Sequence, residues 1–469
     1  MWRFTFLLCV AFVTTAVVAA PSQAQARTAP HTERADAAGI LIWLRRTPAA
    51  NSGSPDDNSA VANPVTTTRV SIASDGAQGM GDSWNSAIST GGWCVAFRSD
   101  ADNLVAGDAN ERDDIFVHWL TGETRRVSVA SDGTEGNDHS RYPAISADGR
   151  YVAFASLASN LVNDDSNGAW DIFVRDQQTG QTSRVSVASD GTEANAGANF
   201  PAISADGRYV AFVAAATNLV SGDTNGRDDI FVHDRQTGQT SRVSVASNGA
   251  QANLNSTLPV ISVHSRYVAF VSDASNLVSG DTNGDRDIFI HDRVTGQTRR
   301  VSVASNGMQA NNSSYWAAIS ATGRYVAFAS LATNLVSGDT NGWNDIFVHD
   351  RLTGQTSRVS VASDGVQGNA HADTPAISAD GRYVLFDSQA SNLVGDDTNG
   401  VYDVFVHDRA TGQTSRVSVA SGGTQANRSS FQPAISSDAR FIAFWSFATN
   451  LVSGDTNGFL DVFVHDRGP

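Results

Sequence analysis

One stretch organises the chain: RVSVASDGTEANAGANFPAISADGRYVAFVAAATNLVSGDTNGRDDIFVHDRQTGQTS, residues 184–241. Close copies of it begin at Arg69, Arg126, Arg184, Arg242, Arg300, Arg358 and Arg416. The starting positions are evenly spaced, except that the first interval is slightly shorter than the others. A fixed period of this size is typical of a protein built from repeated structural units.

Each copy predicts four short β-strands. In the quoted copy they are PAIS (201–204), RYVAFV (208–213), DIFVHD (229–234) and, at the start of the next copy, RVSVAS (242–247). The runs are rich in Val, Ile, Phe and Tyr and are bounded by Gly, Asp, Asn or Ser. Apolar residues fall on both faces of a strand, which indicates a sheet covered on both sides. A four-stranded antiparallel meander packed between two copies of itself is a propeller blade.

The predicted fold class is therefore all-β, a seven-bladed β-propeller of four-stranded antiparallel blades over residues 66–469. The repeat region begins with a strand of the fourth type, residues 69–74, and ends just after a strand of the third type, residues 461–466. The N-terminal strand then pairs in the last blade and closes the ring, which covers two sheet edges at once.

Residues 1–26 have the pattern of a signal peptide. Arg3 precedes an apolar run over residues 4–20, and Ala24-Gln25-Ala26 is a small-x-small cleavage site. A membrane anchor is the weaker interpretation, because the run is shorter than the ~20 residues that span a bilayer. We expect an exported protein, periplasmic or extracellular, with no membrane span after cleavage.

Residues 27–65 predict a low-complexity linker that is largely disordered, because Pro, Ala, Ser, Asn and Asp dominate it. It contains one apolar island, ILIWL at residues 40–44, followed by Arg45 and Arg46. Two interpretations remain open for this island. The favoured one is a weakly ordered segment, and the other is a short helix that docks on the propeller or on a partner.

The composition excludes one class of partner. The net charge is −16 and the isoelectric point is about 4.9, whereas a nucleic-acid-binding protein needs a basic surface. Cys94 is the single cysteine left after signal cleavage, so no intramolecular disulfide forms. We expect a monomer.

The motif PAISADGRYVAFAS…DIFVHDR-TGQT resembles the TolB-type, WD-like β-propeller repeat, and the resemblance covers all seven copies. Departures occur: Gly91-Gly92-Trp93 replaces the Asp-Gly-Arg turn in the first copy, and His264-Ser265 replaces Asp-Gly in the fourth. The helical N-terminal domain of TolB has no counterpart in this sequence. The family includes periplasmic scaffolds, propeller domains of peptidases and a few lyases, so the resemblance implies the fold and leaves the activity open.

The connection between the second and third strands carries Asp-x-Asn-Gly-x-x-Asp, with Glu111 in place of the glycine in the first copy. Hard cations prefer several oxygens at alternating positions of a tight loop, so these loops are candidate calcium sites. The alternative is an Asx turn that caps the loop backbone. The candidate ligands are Asp108, Asn110, Asp114, Asp165, Asn167, Asp171, Asp223, Asn225, Asp229, Asp281, Asn283, Asp287, Asp339, Asn341, Asp345, Asp397, Asn399, Asp403, Asp455, Asn457 and Asp461.

Histidine recurs in the third strand of six copies, and Arg175 replaces it in the other. One such residue per blade is too far from the next to act with it, so we interpret the series as structural. Catalysis needs a group of residues that breaks the repeat. No Ser-His-Asp set, Cys-His pair or close carboxylate pair stands out in the sequence.

The segment that leads into the first strand differs in every copy. In a meander, alternate connections share a face, so these segments lie with the acidic loops, and the nearly invariant turns lie opposite. The varied segments supply the candidate ligand-binding residues Trp84, Tyr142, Phe200, Tyr315, Trp316 and Phe431. Diversity on a rigid ring is typical of a binding surface, although neutral drift of surface loops gives the same pattern.

Three functions are compatible with these features. The leading hypothesis is an exported, non-catalytic propeller that binds a protein or glycan through its variable face and is stabilised by calcium. The first alternative is a polysaccharide lyase or hydrolase that uses the central channel. The second is a structural surface protein stiffened by calcium.

Overall fold

The computed structural model describes residues 65–468, which form seven four-stranded antiparallel sheets. The prediction of a seven-bladed β-propeller is confirmed, and residues 65–468 contain no helix. The predicted signal peptide and all of the predicted linker except Val65 lie outside the described residues.

Every blade has the same strand order from the channel outward. The first strands contact one another around the axis; they are β2 (Ser83–Ile88), β6 (Ser140–Ile145), β10 (Ala198–Ile203), β14 (Ser256–Ile261), β18 (Ser314–Ile319), β22 (Ala372–Ile377) and β26 (Ser430–Ile435). The second strands are β3 (Cys94–Ser99), β7 (Tyr151–Ser156), β11 (Tyr209–Ala214), β15 (Tyr267–Ser272), β19 (Tyr325–Ser330), β23 (Tyr383–Ser388) and β27 (Phe441–Ser446).

The third strands are β4 (Asp114–Trp119), β8 (Asp171–Asp176), β12 (Asp229–Asp234), β16 (Asp287–Asp292), β20 (Asp345–Asp350), β24 (Asp403–Asp408) and β28 (Asp461–Asp466). The outermost strands are β1 (Thr66–Arg69), β5 (Thr124–Arg126), β9 (Gln181–Arg184), β13 (Gln239–Arg242), β17 (Gln297–Arg300), β21 (Gln355–Arg358) and β25 (Gln413–Arg416). We number the blades 1 to 7 from β2, so blade 7 contains β26, β27, β28 and β1.

The ring closes as predicted, because β1 pairs with β28 in antiparallel register from Thr66 opposite Asp466 to Arg69 opposite Phe463. The bounds of the fourth strand were wrong in every copy: it is Gln239–Arg242 rather than residues 242–247 in blade 3. Ser244 explains the early end. Its hydroxyl donates to Asp229 and accepts from the Ile230 N–H at 3.0 Å. The Ser244 side chain therefore takes the place of the next backbone hydrogen bond between the third and fourth strands.

The core lies between neighbouring blades. Phe212 on β11 is the register partner of Phe231 on β12, both are fully buried, and their ring centroids lie 5.9 Å apart. A Phe pair occupies the same two positions in all seven blades. Seven of the buried clusters each combine residues from two adjacent blades, which makes the ring a continuous apolar core.

The two faces of the ring differ as expected from the meander. We call the face with the short turns, such as residues 204–208 and 235–238 in blade 3, the uniform face. We call the face with the long connections, such as residues 215–228 and 243–255, the variable face. Each first strand starts at the variable face and ends at the uniform face.

Candidate functional site

A ring of bulges marks the start of the first strands, where the channel opens on the variable face. In every blade the register between the first and second strands shifts next to the third residue of the first strand. That residue has φ between 42° and 56° in all seven copies and is never glycine: Asn85, Tyr142, Phe200, Leu258, Trp316, Thr374 and Gln432. Left-handed backbone costs a non-glycine residue roughly 1–2 kcal/mol, and bulges redirect a side chain.

These seven bulge residues divide into two arcs. Blades 2 to 5 supply the apolar arc, which is Tyr142, Phe200, Leu258 and Trp316. The Tyr142 and Phe200 ring centroids lie 4.5 Å apart. Phe200, Leu258 and Trp316 all pack against the buried cluster between blades 4 and 5, so apolar side chains occupy one side of the channel.

The polar arc consists of Thr374, Gln432 and Asn85 from blades 6, 7 and 1. The Asn85 amide donates to Gln432 Oε1 at 3.2 Å, and Trp445 Nε1 donates to the same oxygen at 2.8 Å. The Gln432 backbone N–H donates to Asp387 Oδ2 at 2.8 Å, and the Thr374 hydroxyl donates to that oxygen too. Hydrogen bonds therefore join three adjacent blades on this side of the channel.

The predicted ligand-binding residues are not all brought together. Tyr142, Phe200 and Trp316 belong to the apolar arc. Phe431 packs instead against Trp445 of its own blade, with tilted rings whose centroids are 4.6 Å apart, and Tyr315 lies opposite Ala329 in blade 5.

Trp84 of blade 1 lies under Arg98, whose guanidinium carbon is 4.5 Å from the Trp84 ring centroid. Arg141 lies 3.6 Å from the Trp170 ring centroid and donates to Asn199 Oδ1 at 2.8 Å. The variable face thus has a different set of contacts in each blade.

Sequence reasoning missed the second-strand residues that face these positions. The relevant column contains Arg98, Ala155, Val213, Val271, Ala329, Asp387 and Trp445. It also missed Leu258 and the residues just before the third strands, such as Trp170 and Tyr402. Comparing the copies column by column along the strands would have revealed this variation, because the neighbouring columns scarcely change.

The structure also corrects the expectation that the chain has no close carboxylate pair. Asp373 on β22 and Asp387 on β23 are register partners, so their side chains leave the sheet at neighbouring positions. Asp387 is 2% exposed, and burial with the nearby Asp373 raises its pKa to about 7. Burial also raises the pKa of Asp373 and brings that of Tyr402 to about 12. The pair therefore retains a proton close to neutral pH.

Replacing Asp387 with asparagine should change how stability depends on pH. The folded pKa of Asp387 is raised, so its contribution to stability is fully present below about pH 4 and is lost as the pH rises through about 7. Asparagine keeps an acceptor for Gln432 and Thr374 but does not titrate. Relative to that of the parent, the free energy of unfolding of Asp387→Asn should increase by a few kcal/mol as the pH rises from about 4 to about 8. Urea unfolding at several pH values measures this gain.

Asp234 is the matched control because its pKa is shifted in the opposite direction. Hydrogen bonds from the Arg208 guanidinium lower the pKa of Asp234. Asp234→Asn should therefore lose a constant amount of stability above about pH 5, with no gain at higher pH. If the free energies of unfolding of the parent and of Asp387→Asn differ by the same amount from about pH 4 to about pH 8, Asp387 is not a neutral, buried carboxyl group.

The seven acidic loops contain Asx turns, as one of the two interpretations of the motif predicts. In blade 3, Asn225 Oδ1 accepts from the Arg227 N–H at 3.0 Å, and its amide donates to the Ala252 carbonyl at 2.9 Å. The same turn is made by Asn110, Asn167, Asn283, Asn341, Asn399 and Asn457. Both ends of each asparagine are therefore engaged in holding the loop.

An arginine lies between the two aspartates of each loop. Arg242 Nη1 is 3.1 Å from Asp223 Oδ1 and 3.4 Å from Asp229 Oδ2. The arginine that opens every repeat makes the equivalent contacts: Arg69, Arg126, Arg184, Arg300, Arg358 and Arg416. The guanidinium supplies a positive charge at the place where the calcium hypothesis puts a cation.

Two loops have a third carboxylate and are the strongest metal candidates among residues 65–468. They are Asp108, Asp114 and Glu135, and Asp165, Asp171 and Glu193, with one oxygen of each residue within 4.8 Å of the others. Burial and the neighbouring carboxylates raise the pKa of Asp108 to about 7 and that of Asp165 to about 6. Three carboxylates around one arginine leave excess negative charge, so these two sets fit a hard cation.

The third-strand histidines connect blades, in agreement with a structural role. His233 Nδ1 lies 2.9 Å from Thr240 Oγ1, and that hydroxyl donates to the Val187 carbonyl at 2.5 Å. Burial lowers the pKa of His233, which keeps the ring neutral. Arg175, which replaces the histidine in blade 2, donates to the equivalent hydroxyl of Thr182 at 3.0 Å.

No family model matches the chain, and no curated protein matches it. Among solved structures, the chain is similar to oligogalacturonate lyase from Vibrio parahaemolyticus, with 13% identity, TM-score 0.51, and 87% of this chain and 95% of that chain covered. It is also similar to the propeller domain of the Trilobed protease from Pyrococcus furiosus, with 12% identity, TM-score 0.50, and 82% and 96% covered. At these identities the likeness extends to the fold alone.

Structural neighbours also include TolB from Acinetobacter baumannii, with 18% identity and TM-score 0.37. The match covers 64% of this chain, which spans about 60% of the length of that TolB. The described part of the chain has no helix with the length and apolarity that a membrane crossing needs.

Proposed function

We propose that this chain is an exported, non-catalytic propeller of the TolB type that binds a protein or glycan partner on its variable face, across the mouth of the channel. The observation that carries the proposal is the ring of seven bulge residues. All seven have positive φ, none is glycine, and no two are the same residue type. Backbone strain that recurs at one level of the ring, with different side chains, is the arrangement expected of a recognition surface.

The opposite mouth of the channel favours approach from the variable face. On the uniform face the turns of adjacent blades are hydrogen-bonded: the Thr90 N–H donates to the Ala147 carbonyl at 3.1 Å, and the Ser437 N–H donates to the Thr90 carbonyl at 3.0 Å. Val263, Ala321 and Ala379 pack together at the same level. These contacts engage the inner turns of adjacent blades with one another on the uniform face, which supports placing the ligand at the bulge ring instead.

The two arcs suggest how a partner is held. An apolar or aromatic surface of the ligand contacts the half-buried Phe200 and Trp316, with the buried Tyr142 packed behind Phe200. Hydrogen-bonding groups of the ligand face the half-buried Thr374. Both a sugar ring and a peptide side chain offer these two kinds of surface. Aromatic residues that lose water on binding contribute most of the free energy in such contacts.

Once a screen against glycans and secreted proteins gives a ligand, Trp316→Ala should weaken binding by ~1–2 kcal/mol or more. Tyr315→Ala tests the residue next to Trp316. Tyr315 belongs to none of the buried clusters, so this replacement should leave the fold intact. Calorimetric titration of each folded variant measures the change.

Gln239→Ala is the control, since Gln239 is exposed on the uniform face. It should bind as the parent does. Loss of affinity in Gln239→Ala together with unchanged affinity in Trp316→Ala would place the ligand on the uniform face and refute the proposal.

The carboxylate pair is the observation that favours the enzyme alternative, a polysaccharide lyase or hydrolase. Paired carboxyl groups with separated pKa values can act as acid and base. The surroundings of Asp387 support a positioning role instead, because it is buried and both contacts of Oδ2 hold the polar arc. Release of reducing ends or unsaturated products from a polysaccharide by the parent, abolished in Asp373→Asn, would favour the enzyme.

We also propose that calcium binds at the two loops with three carboxylates and stabilises the ring. A site filled at about 100 times its dissociation constant adds roughly 2.7 kcal/mol to the folded state. Millimolar calcium should therefore raise the melting temperature relative to chelator, and magnesium should raise it less. Differential scanning calorimetry measures the shift.

The other blades provide the control for this prediction, because they have glutamine where blades 1 and 2 have Glu135 and Glu193. The double variant Glu135→Gln, Glu193→Gln copies those blades and should lose most of the calcium shift. Equal melting curves in chelator and in calcium for the parent would leave the acidic loops as Asx turns alone.

A further inference from the structure

The uniform face has the same ion pair in six blades. Arg208 Nε and Nη2 donate to the two oxygens of Asp234 at 2.8 and 2.6 Å. Equivalent pairs are Arg150–Asp176, Arg266–Asp292, Arg324–Asp350, Arg382–Asp408 and Arg440–Asp466. The Tyr209 ring lies between Arg208 and Arg293 of the next blade, with guanidinium carbons 4.8 and 4.2 Å from its centroid. Charged and aromatic groups thus cover this face together.

Blade 1 replaces all of these groups with less polar ones. Trp93 and Trp119 stand where the other blades have the Arg and the Asp, and Cys94 stands in place of the tyrosine. Leu120 takes the position of Arg235, and its N–H makes the corresponding backbone hydrogen bond to the Trp93 carbonyl at 2.8 Å. Trp93 is 55% exposed and Leu120 is 37% exposed. Blade 1 therefore exposes a tryptophan and a leucine at positions where most other blades carry arginine.

The neighbouring blades extend this surface. In blade 7 the tyrosine position is Phe441, which packs so closely on the turn of blade 1 that a Cβ at Gly92 would collide with its ring. We call Trp93, Trp119, Leu120 and Phe441 the blade 1 patch. On the side of blade 2 a groove of about 300 Å³ runs beside Trp119, where Gln177 replaces the arginine of later blades. Apolar surface of this kind usually marks a contact site.

The chain reaches the ring close to this patch. Thr66, at the start of β1, is opposite Asp466, the last residue of β28, so the chain arrives at the uniform face of blade 7. Blade 7 is adjacent to blade 1. Residues 40–44, ILIWL, are the apolar run between residues 27 and 65. The intervening residues 45–64 would span roughly 25 Å as a random coil, which is enough to reach a neighbouring blade.

From these observations we propose that residues 40–46 of this chain dock on the blade 1 patch of the same molecule. The apolar side chains of residues 40–44 cover the exposed rings of the patch. Arg45 and Arg46 face Asp148, the carboxylate that lines the groove. The docking hides apolar surface that the ring leaves uncovered, and it is independent of the ligand proposed for the variable face.

Hydrogen exchange by mass spectrometry on the whole mature chain tests the docking. We expect the amides of residues 40–44 to exchange about tenfold or more slowly than those of an unstructured chain, because exchange follows the opening equilibrium. The double variant Trp93→Ser, Leu120→Ser should return these amides to the unstructured rate. Trp43→Ser, which leaves every residue of the ring unchanged, should do the same and should speed exchange in residues 119–122.

Leu352→Ser is the matched control, because Leu352 is 75% exposed in the equivalent turn of blade 5. It should leave the exchange of residues 40–44 unchanged. Unstructured exchange rates for residues 40–44 in the parent would overturn the proposal, as would protection that survives Trp93→Ser, Leu120→Ser. Protection that disappears on dilution together with a dimer would also overturn it, because the segment would then bind a second copy.

Discussion

Deleting residues 66–75 should destabilise the ring by more than about 5 kcal/mol, close to the whole stability of many domains. The deletion removes β1 and exposes the edge of β28. It removes Val70, which is 1% exposed in the cluster between blades 7 and 1. It also removes Arg69 and Ser71, which lie 3.1 and 2.5 Å from the carboxylate of the buried Asp461. Urea unfolding and size-exclusion chromatography measure the loss.

A deletion of equal length upstream is the control for this prediction. Removing residues 50–59 shortens the chain by the same amount but leaves β1 in place. That variant should melt as the parent does, whereas the deletion of residues 66–75 should aggregate through its open edge. A soluble, monomeric protein without residues 66–75 and with the parent melting temperature would refute closure by β1.

Most of the fold could be predicted from the sequence because the same pattern recurs seven times. The third strand of blade 3 was predicted to the residue, since its apolar residues are bounded by Asp229 and Asp234. The fourth strand was displaced because RVSVAS has the higher β propensity, whereas the observed strand is the polar QTSR at Gln239–Arg242. The hydroxyl of Ser244 ends the strand, and such a side-chain contact is not visible in a propensity pattern.

The candidate site was only partly predictable. The sequence placed Tyr142, Phe200 and Trp316 at the channel mouth, because variation between the copies is obvious before the first strand. It did not bring Asp373 and Asp387 together, since they belong to two different strands whose register depends on a bulge. Bulge positions have no simple sequence signature when the left-handed residue is not glycine.

The turns of the uniform face were predicted to be nearly invariant, with departures at Gly91-Gly92-Trp93 and His264-Ser265, and blade 1 also loses the ion pair of the other six blades. The sequence contained the signal, because Gly91-Gly92-Trp93 was recognised as a departure from the Asp-Gly-Arg turn. Its meaning depends on a second substitution, Trp119, at the position of the partner aspartate. Trp93 and Trp119 can be assigned to one site only when the turn and the third strand are known to meet at the same end of the blade.

Arg126→Met should destabilise the ring by roughly 3–5 kcal/mol in the absence of calcium, the cost of leaving buried charge without its partner. Arg126 Nη1 lies 3.2 Å from Asp108 and 3.3 Å from Asp114, and it contacts Glu135 as well. The side chains of Arg126 and Asp114 are 9% and 0% exposed, so water cannot replace the lost charge. Urea unfolding in chelator at pH 7.5 to 8 measures the cost.

Arg300→Met is the matched control, because Arg300 is equally buried but lies between two carboxylates, Asp281 and Asp287, instead of three. Arg300→Met should lose less free energy of unfolding than Arg126→Met. Calcium should restore less of that loss, because the blade 1 set offers three carboxylates to the ion. The cost of Arg126→Met should also shrink as the pH falls below about 6, because Asp108 and Asp114, with pKa values raised to about 7 and about 6, then take up protons. The two variants could instead lose the same free energy of unfolding, whatever the calcium concentration and the pH. That result would mean that Glu135 adds no charge that Arg126 must balance.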